Sequence, residues 1–249
     1  MTGIVAVKLE IVSHCWHYAA HLTYQLSSLV LYPPKNVKVT MTVFYSTEDR
    51  ATAGVLNYFG SIESPNVQWS WRPLSNERLF RRSIGRNLAA LNTDSDWIWF
   101  ADADMCFRRG CIDALPSKIT GTTAPLIYPR SIFISRTHAS GDLALQVVSG
   151  RPRVQDIDPL EFEVHRYQRA IGGVQIVQGD AARRVGYNRG SERFQHPIAR
   201  WQRCYDDVAF RKALGTSGLP IDLPELYRIR HEQFGRRDEF GRRTRTAKS

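Results

Sequence analysis

The sequence predicts an α/β fold in which a mostly parallel central sheet is flanked by helices. Strand-like and helix-like segments alternate from the N-terminus to Ala101. The apolar run Trp97–Ala101, bounded by polar residues, has the length of a strand buried on both faces. No internal repeat or long low-complexity linker interrupts the pattern.

Each element has a local reason. Val5–Ser13 is rich in β-branched and apolar residues and is expected as the first strand. Tyr18–Tyr32 is helix-like, and Pro33-Pro34 stops it. Val37–Tyr45 alternates around Val and Thr, a strand pattern. Thr47 is expected to cap a helix running from Glu48 to about Gly60. Val67–Trp71 is a short strand, and Ser75 is expected to cap a helix reaching Asn92. Strand–helix–strand repeats imply right-handed crossovers and a parallel sheet whose ligands bind at the carboxyl ends of the strands. The second half is less regular: strands are expected at Ala124–Tyr128, Val174–Val177 and Leu226–Arg230, a helix at Asp206–Leu214, and a loop across Arg130–Gly150.

The 249 residues, 43% hydrophobic, suffice for one domain with a sizeable core and no disulfide staples. The expected division is one domain over 1–235, with a ligand-binding half at 1–105 and a second half at 106–235, followed by a basic tail at 236–249. No apolar run is long enough to span a membrane, and the N-terminus lacks the pattern of a signal peptide. Cys15, Cys106, Cys111 and Cys204 form no Cys-x-x-Cys pair and suit no zinc site, so buried free thiols and a reducing, cytoplasmic setting are expected. The net charge of +10 argues for polyanionic neighbours. Half of it lies between Arg228 and Ser249, where eight basic residues face three acidic ones.

Asp102-Ala103-Asp104 follows the Trp97–Ala101 run directly, at the edge where such sheets place ligands. Two carboxylates so spaced suit a hard divalent cation that also takes oxygens from a phosphate. The alternative is a surface turn that happens to carry two acids. Arg82 and Arg86 lie one helical turn apart, with Asn87 beside them; they can meet a diphosphate or form a solvated basic face. Asp206-Asp207 opens a helix with Arg211 one turn on, which taken alone is a stabilising acidic helix start. Gly172-Gly173 permits close backbone approach or is an ordinary turn.

Together these residues resemble the family-2-like glycosyltransferases of the GT-A fold. The likeness rests on Arg86-Asn87, the strand Asp96–Ala101 ending in Asp102-Ala103-Asp104, and Asp206-Asp207 with Arg211, and runs in motif order from about Val5 to His231. It departs at Asp206, where the family has Glu. The resemblance implies a GT-A sheet with a small antiparallel acceptor-side region, a nucleotide-sugar donor such as a UDP-sugar, and Mn²⁺ or Mg²⁺. It places Asp104, Asp102 and the late His231 at the metal. Asp102, Arg86 and Asn87 fall at the donor, Ser13, His14 and Glu48 or Asp49 near the nucleoside, and Asp207 at the acceptor as the base of an inverting reaction. For Asp49 the competing role is helix capping, and for His231 a plain surface histidine.

The acceptor is expected to be a glycan or a modified nucleic-acid base, with the tail touching an anionic surface such as DNA or acidic lipid. A phage-encoded enzyme or one peripheral to the inner membrane fits either acceptor. A nucleotidyltransferase would share metal and nucleotide, but its Gly-rich basic signature after the first strand is replaced here by Ser13–Tyr18. A non-catalytic nucleic-acid-binding protein accounts for the basic stretch Arg228–Ser249, in which the only Phe, Tyr or Trp residues are Phe234 and Phe240.

Overall fold

The computed structural model describes residues 6–139, 142, 152–202 and 204–232. The basic tail, 236–249, lies outside the described residues, as do 143–150 of the expected loop. The first half runs β1 (Val7–Cys15), α1 (Ala19–Leu31), β2 (Val37–Tyr45), α2 (Arg50–Gly60), β3 (Val67–Pro73), α3 (Asn76–Phe80), α4 (Arg82–Asn92) and β4 (Trp97–Phe100). The second half adds β5 (Met105–Phe107), α5 (Leu115–Ile119), β6 (Leu126–Pro129), β7 (Ser131–Ser135), β8 (Phe162–Arg166), β9 (Gln175–Gln178) and α6 (Gly179–Val185). It closes with α7 (Glu192–Gln195), α8 (Asp206–Ala213), β10 (Leu219–Ile221) and β11 (Leu226–Arg228).

The central sheet has seven strands in the order β10-β6-β9-β4-β1-β2-β3. The pairings β4-β1-β2-β3 and β10-β6 are parallel, and β9 runs antiparallel to both β4 and β6. The expected mostly parallel α/β sheet is therefore present. A second sheet, β5-β11-β7-β8, is antiparallel except between β11 and β7.

Alternation along the central strands buries both faces. Leu9, Ile11, Met41 and Trp99 pack against Leu22 and Leu26 of α1 and Phe59 of α2. Val12, Ile98 and Phe100 pack on the other face with Phe44, Tyr187 and Phe210. Cys15, Cys106 and Cys111 are buried free thiols, as expected of this core, and Cys204 is a half-buried one. No helix among the described residues is long and apolar enough to cross a membrane.

Three local expectations are corrected. Asp49, rather than Thr47, caps α2: its Oδ1 accepts from Thr52 N at 3.1 Å, so the helix starts at Arg50. The helix expected from Ser75 to Asn92 breaks at Arg81, whose φ/ψ of −94/81 is not helical. The break lets α4 set off in a new direction, and Arg81 Nε reaches His196 O at 3.4 Å. The loop expected from Arg130 instead contains β7, which pairs with β8 across Ser131–Ser135.

Candidate functional site

The site is built at the carboxyl ends of β1 and β4, where the chain turns into β5. Met105 N bonds Asp102 O at 3.2 Å, which bends the acidic turn. Ser13 Oγ donates to Ala101 O at 3.2 Å and Gln25 Nε2 to Asp102 O at 2.8 Å, so side chains from β1 and α1 hold its backbone. Gly173 closes against it from the other side. A Cβ there would stand 2.6 Å from Asp102 N, so only glycine fits. Trp99 Nε1 donates to Gly173 O at 3.0 Å and locks that approach, while Gly172 takes a φ of +46°.

The acids meet an arginine wall. Asp102 Oδ1 receives Arg82 Nη1 at 2.9 Å and lies 3.5 Å from Arg86 Nη2. Its Oδ2 lies 3.5 Å from Arg228 Nη2. Asp104 Oδ2 accepts from Arg228 Nε at 3.0 Å and lies 3.6 Å from His231 Nε2. Asp104 Oδ1 is buried with no hydrogen-bond partner. Burial alone would push the Asp104 carboxyl up, but Arg228 and then His231 hold it well below the usual carboxylate range.

A divalent cation was expected here, and the donors fit one that a substrate completes. His231 Nδ1 faces Glu232 O at 2.9 Å, and a carbonyl only accepts, so Nδ1 carries a proton. Nε2 is then the ring nitrogen turned toward Asp104, 3.6 Å from its Oδ2, and the one through which an imidazole can meet an ion. Together with the partnerless Oδ1 of Asp104, this makes two protein donors. Among the described residues no three His, Cys, Asp or Glu side chains are grouped to hold an ion. A hard cation that takes its remaining oxygens from phosphate and water needs no such cage.

Arg86 joins this acid pair to the second one. It is 1% exposed, and its Nη1 donates to Tyr187 Oη at 2.8 Å and lies 3.7 Å from Asp206 Oδ2. Tyr187 Oη passes the chain on to Gln175 Oε1 at 2.9 Å. Ser83 Oγ also donates to Asp206, at 3.2 Å. Burial opposes ionisation of Asp206, but Arg86 and then Arg82 hold its carboxyl below the usual range. Asp207 Oδ2 lies 3.3 Å from Arg211 Nη1 and accepts from Gly172 N at 3.4 Å. Gly172 thus touches the second pair directly and stands beside Asp102.

Each pair has one sealed and one open member. The side chains of Asp104 and Asp206 are 5% and 3% exposed, those of Asp102 and Asp207 19% and 18%. Asp206 is sealed among its partners, and Asp207 is the carboxylate of its pair that reaches solvent.

The other residues expected at the nucleoside and donor have partners within the protein. Ser13 is fully buried between strands. Both Asp49 oxygens are engaged, Oδ2 accepting from His17 N at 2.7 Å and from Thr52 Oγ1 at 2.6 Å. Asn87 Oδ1 accepts from Tyr187 N at 3.0 Å, and its amide faces Gln195. His14 stacks on Phe44 with its Nε2 against Gly85. Glu48 accepts from Asn76. Two residues of the site carried no separate expectation: Arg228, and His21 on α1, whose ring centroid is 4.3 Å from that of His231. Burial, then His231, lowers the His21 pKa to about 3.

The fold is shared with solved structures that were determined with nucleotides or nucleotide sugars bound. The chain superposes on S. aureus TarS 1-349 in complex with UDP, with a TM-score of 0.57, 12% identity and 90% of this chain covered. The same TarS fragment in complex with UDP-GlcNAc gives a TM-score of 0.55 at 11% identity over 91% of this chain. The mannosyltransferase PcManGT from Pyrobaculum calidifontis, in complex with GDP-Man and Mn²⁺, gives 0.50 at 11% identity over 89%. The chain spans 60%, 59% and 56% of those three structures. At these identities the likeness shows the fold. No family model and no curated protein sequence matches the chain.

Proposed function

We propose that this chain transfers a sugar from a nucleotide-sugar donor to an acceptor hydroxyl. The observation that carries the reading is the turn Asp102–Asp104, set at the carboxyl edge of a GT-A-like sheet and walled by Arg82, Arg86 and Arg228. Three structures that share this fold are complexes with UDP, UDP-GlcNAc and GDP-Man, the last with Mn²⁺.

Asp104 and His231 would hold Mn²⁺ or Mg²⁺, which supplies positive charge to the leaving diphosphate. Asp102, kept rigid by Arg82 and Arg86, borders the donor. Asp207 stands across Gly172 from Asp102 and reaches solvent, which suits the base of an inverting transfer. It takes the acceptor's hydroxyl proton as the new oxygen–C1 bond forms. The bond from C1 to the diphosphate breaks on the opposite face, and its electrons leave with the diphosphate. Arg211, one helical turn away, keeps Asp207 aimed. Rate enhancement of this kind comes from positioning and charge stabilisation. The donor is proposed as a UDP-hexose and the acceptor as a glycan or a modified nucleic-acid base, with the tail 236–249 at an anionic surface.

The test is release of nucleoside diphosphate from a panel of UDP-, GDP- and CDP-sugars with Mn²⁺. Turnover is expected with at least one sugar and is lost in Asp104→Ala. No turnover of any donor would sink the proposal.

A further inference from the structure

Arg228 stands where an ion and a phosphate would both press. It ends β11, paired antiparallel to β5 opposite Met105, the residue after Asp104. Ile229 N also bonds Asp104 O at 2.9 Å, so the two backbones are stitched together at the acidic turn. From this fixed base the guanidinium bridges the two acids, with Nε on Asp104 Oδ2 at 3.0 Å and Nη2 at 3.5 Å from Asp102 Oδ2. Its side chain is 35% exposed, whereas that of Arg86 is 1% exposed. One edge of the Arg228 fork is thus committed to carboxylates, the Tyr167 hydroxyl also bonds to it, and the side chain as a whole keeps some exposure.

A cation drawn to Asp104 approaches the carboxylate that Arg228 already neutralises, so the two compete by charge. A planar guanidinium also matches phosphate oxygens in a bidentate manner, and its stem allows the head to swing while the strand stays put. Arg82 does not stand in this position: it contacts Asp102 alone among the acids of the turn. We propose that Arg228 is a diphosphate-binding residue that leaves the carboxylates of Asp102 and Asp104 for the donor's phosphates as the ion enters. Ion and diphosphate then bind together better than either binds alone. This rests on the function proposed above and adds to it a residue and a coupling.

The test is Mn²⁺ binding to the full chain, followed by the paramagnetic resonance of free Mn²⁺, with and without UDP. In the wild type, UDP tightens Mn²⁺ binding by about tenfold or more, within the usual range of coupling between sites. Arg228→Gln removes the competing charge and the phosphate partner together. It therefore binds Mn²⁺ alone more tightly, binds UDP with Mn²⁺ more weakly, and brings the coupling close to one. Arg228→Lys keeps the charge without the fork, so it keeps the weak binding of Mn²⁺ alone and loses part of the UDP affinity. If Arg228→Gln weakens Mn²⁺ with and without UDP alike, or changes neither, Arg228 is only a structural partner of Asp104 and the inference is overturned. If Arg228→Gln does not fold, Arg228→Lys decides: unchanged UDP affinity overturns the inference. A wild type that binds Mn²⁺ but no nucleotide overturns the proposed function instead.

Discussion

Replacing Arg86 with Met tests the buried charge network that underlies the site. The guanidinium is 1% exposed and faces Asp206, Asp102 and the Tyr187 hydroxyl. Met keeps much of its length and loses all of its charge. Asp206, 2% exposed, then loses its nearest charge and keeps Ser83 and the weaker influence of Arg82. Stranding one member of a buried ion pair costs about 3–5 kcal/mol. Domains are stable by about 5–15 kcal/mol, so the loss is a large share of the total. Urea unfolding at pH 7 measures it. Because Arg86 holds the folded-state pKa of Asp206 down, the stability Asp206 contributes is present above the unfolded carboxyl's value of about 3.9. It is lost as pH falls from there through the folded value, so pH 7 reads it in full. Asp206→Asn in the Arg86→Met background removes the stranded charge, and a coupling of about 1–3 kcal/mol is expected in the double-mutant cycle. A single-variant cost below about 1 kcal/mol, or a strictly additive cycle, would refute the network.

Three further outcomes follow from the same geometry. Gly173→Ala forces a Cβ to within 2.6 Å of Asp102 N, so it should cost about 1–3 kcal/mol and weaken UDP binding; a variant with wild-type stability and affinity would show that the approach is loose. Asp207→Asn should lower kcat by about a hundredfold or more while UDP affinity, measured calorimetrically, stays within about twofold; loss of both together would assign Asp207 to the donor. His21 stays neutral when folded, with its pKa down at about 3, so the unfolded chain takes up a proton that the native chain refuses as pH falls below about 6.5. In chelator, the native state should lose about 1 kcal/mol through this group between pH 7 and 5.5; His21→Leu should flatten that slope, and an unchanged slope would place the pH dependence elsewhere.

Much of the first half of the fold is legible because its strands are buried on both faces. Val37–Tyr45 is bounded as the alternation predicts, and Trp97–Phe100 falls one residue short of the apolar run. The acidic turn follows from that strand, since sheet position alone puts it at the ligand edge. The missed elements lack this signal. Met105–Phe107 and Leu219–Ile221 are only three residues each, and the latter carries a proline. Phe162–Arg166 is mostly exposed, so no buried face marks it. The break at Arg81 is invisible because no Gly or Pro marks it, and the side chain's contact there is with His196, 115 residues on.

The site divides in the same way. Arg82 and Arg86 reach Asp102 because helical spacing puts them on one face. Arg228 reads in the sequence as the first of a basic run. Its partner Asp104 is 124 residues away, and only the pairing of β11 with β5 brings them together. His21 sits inside a long apolar helix, and nothing local shows that its ring meets His231. The Asp49 side chain follows the capping rule, the alternative that its position after the second strand left open.

The most direct measurement is calorimetric binding of UDP in the presence of Mn²⁺ to the wild type and to Asp104→Asn. Wild-type binding is expected, weakened about tenfold or more both by chelating the ion and by Asp104→Asn. No binding, or binding that neither the chelator nor the substitution affects, would contradict a nucleotide diphosphate held at Asp102–Asp104.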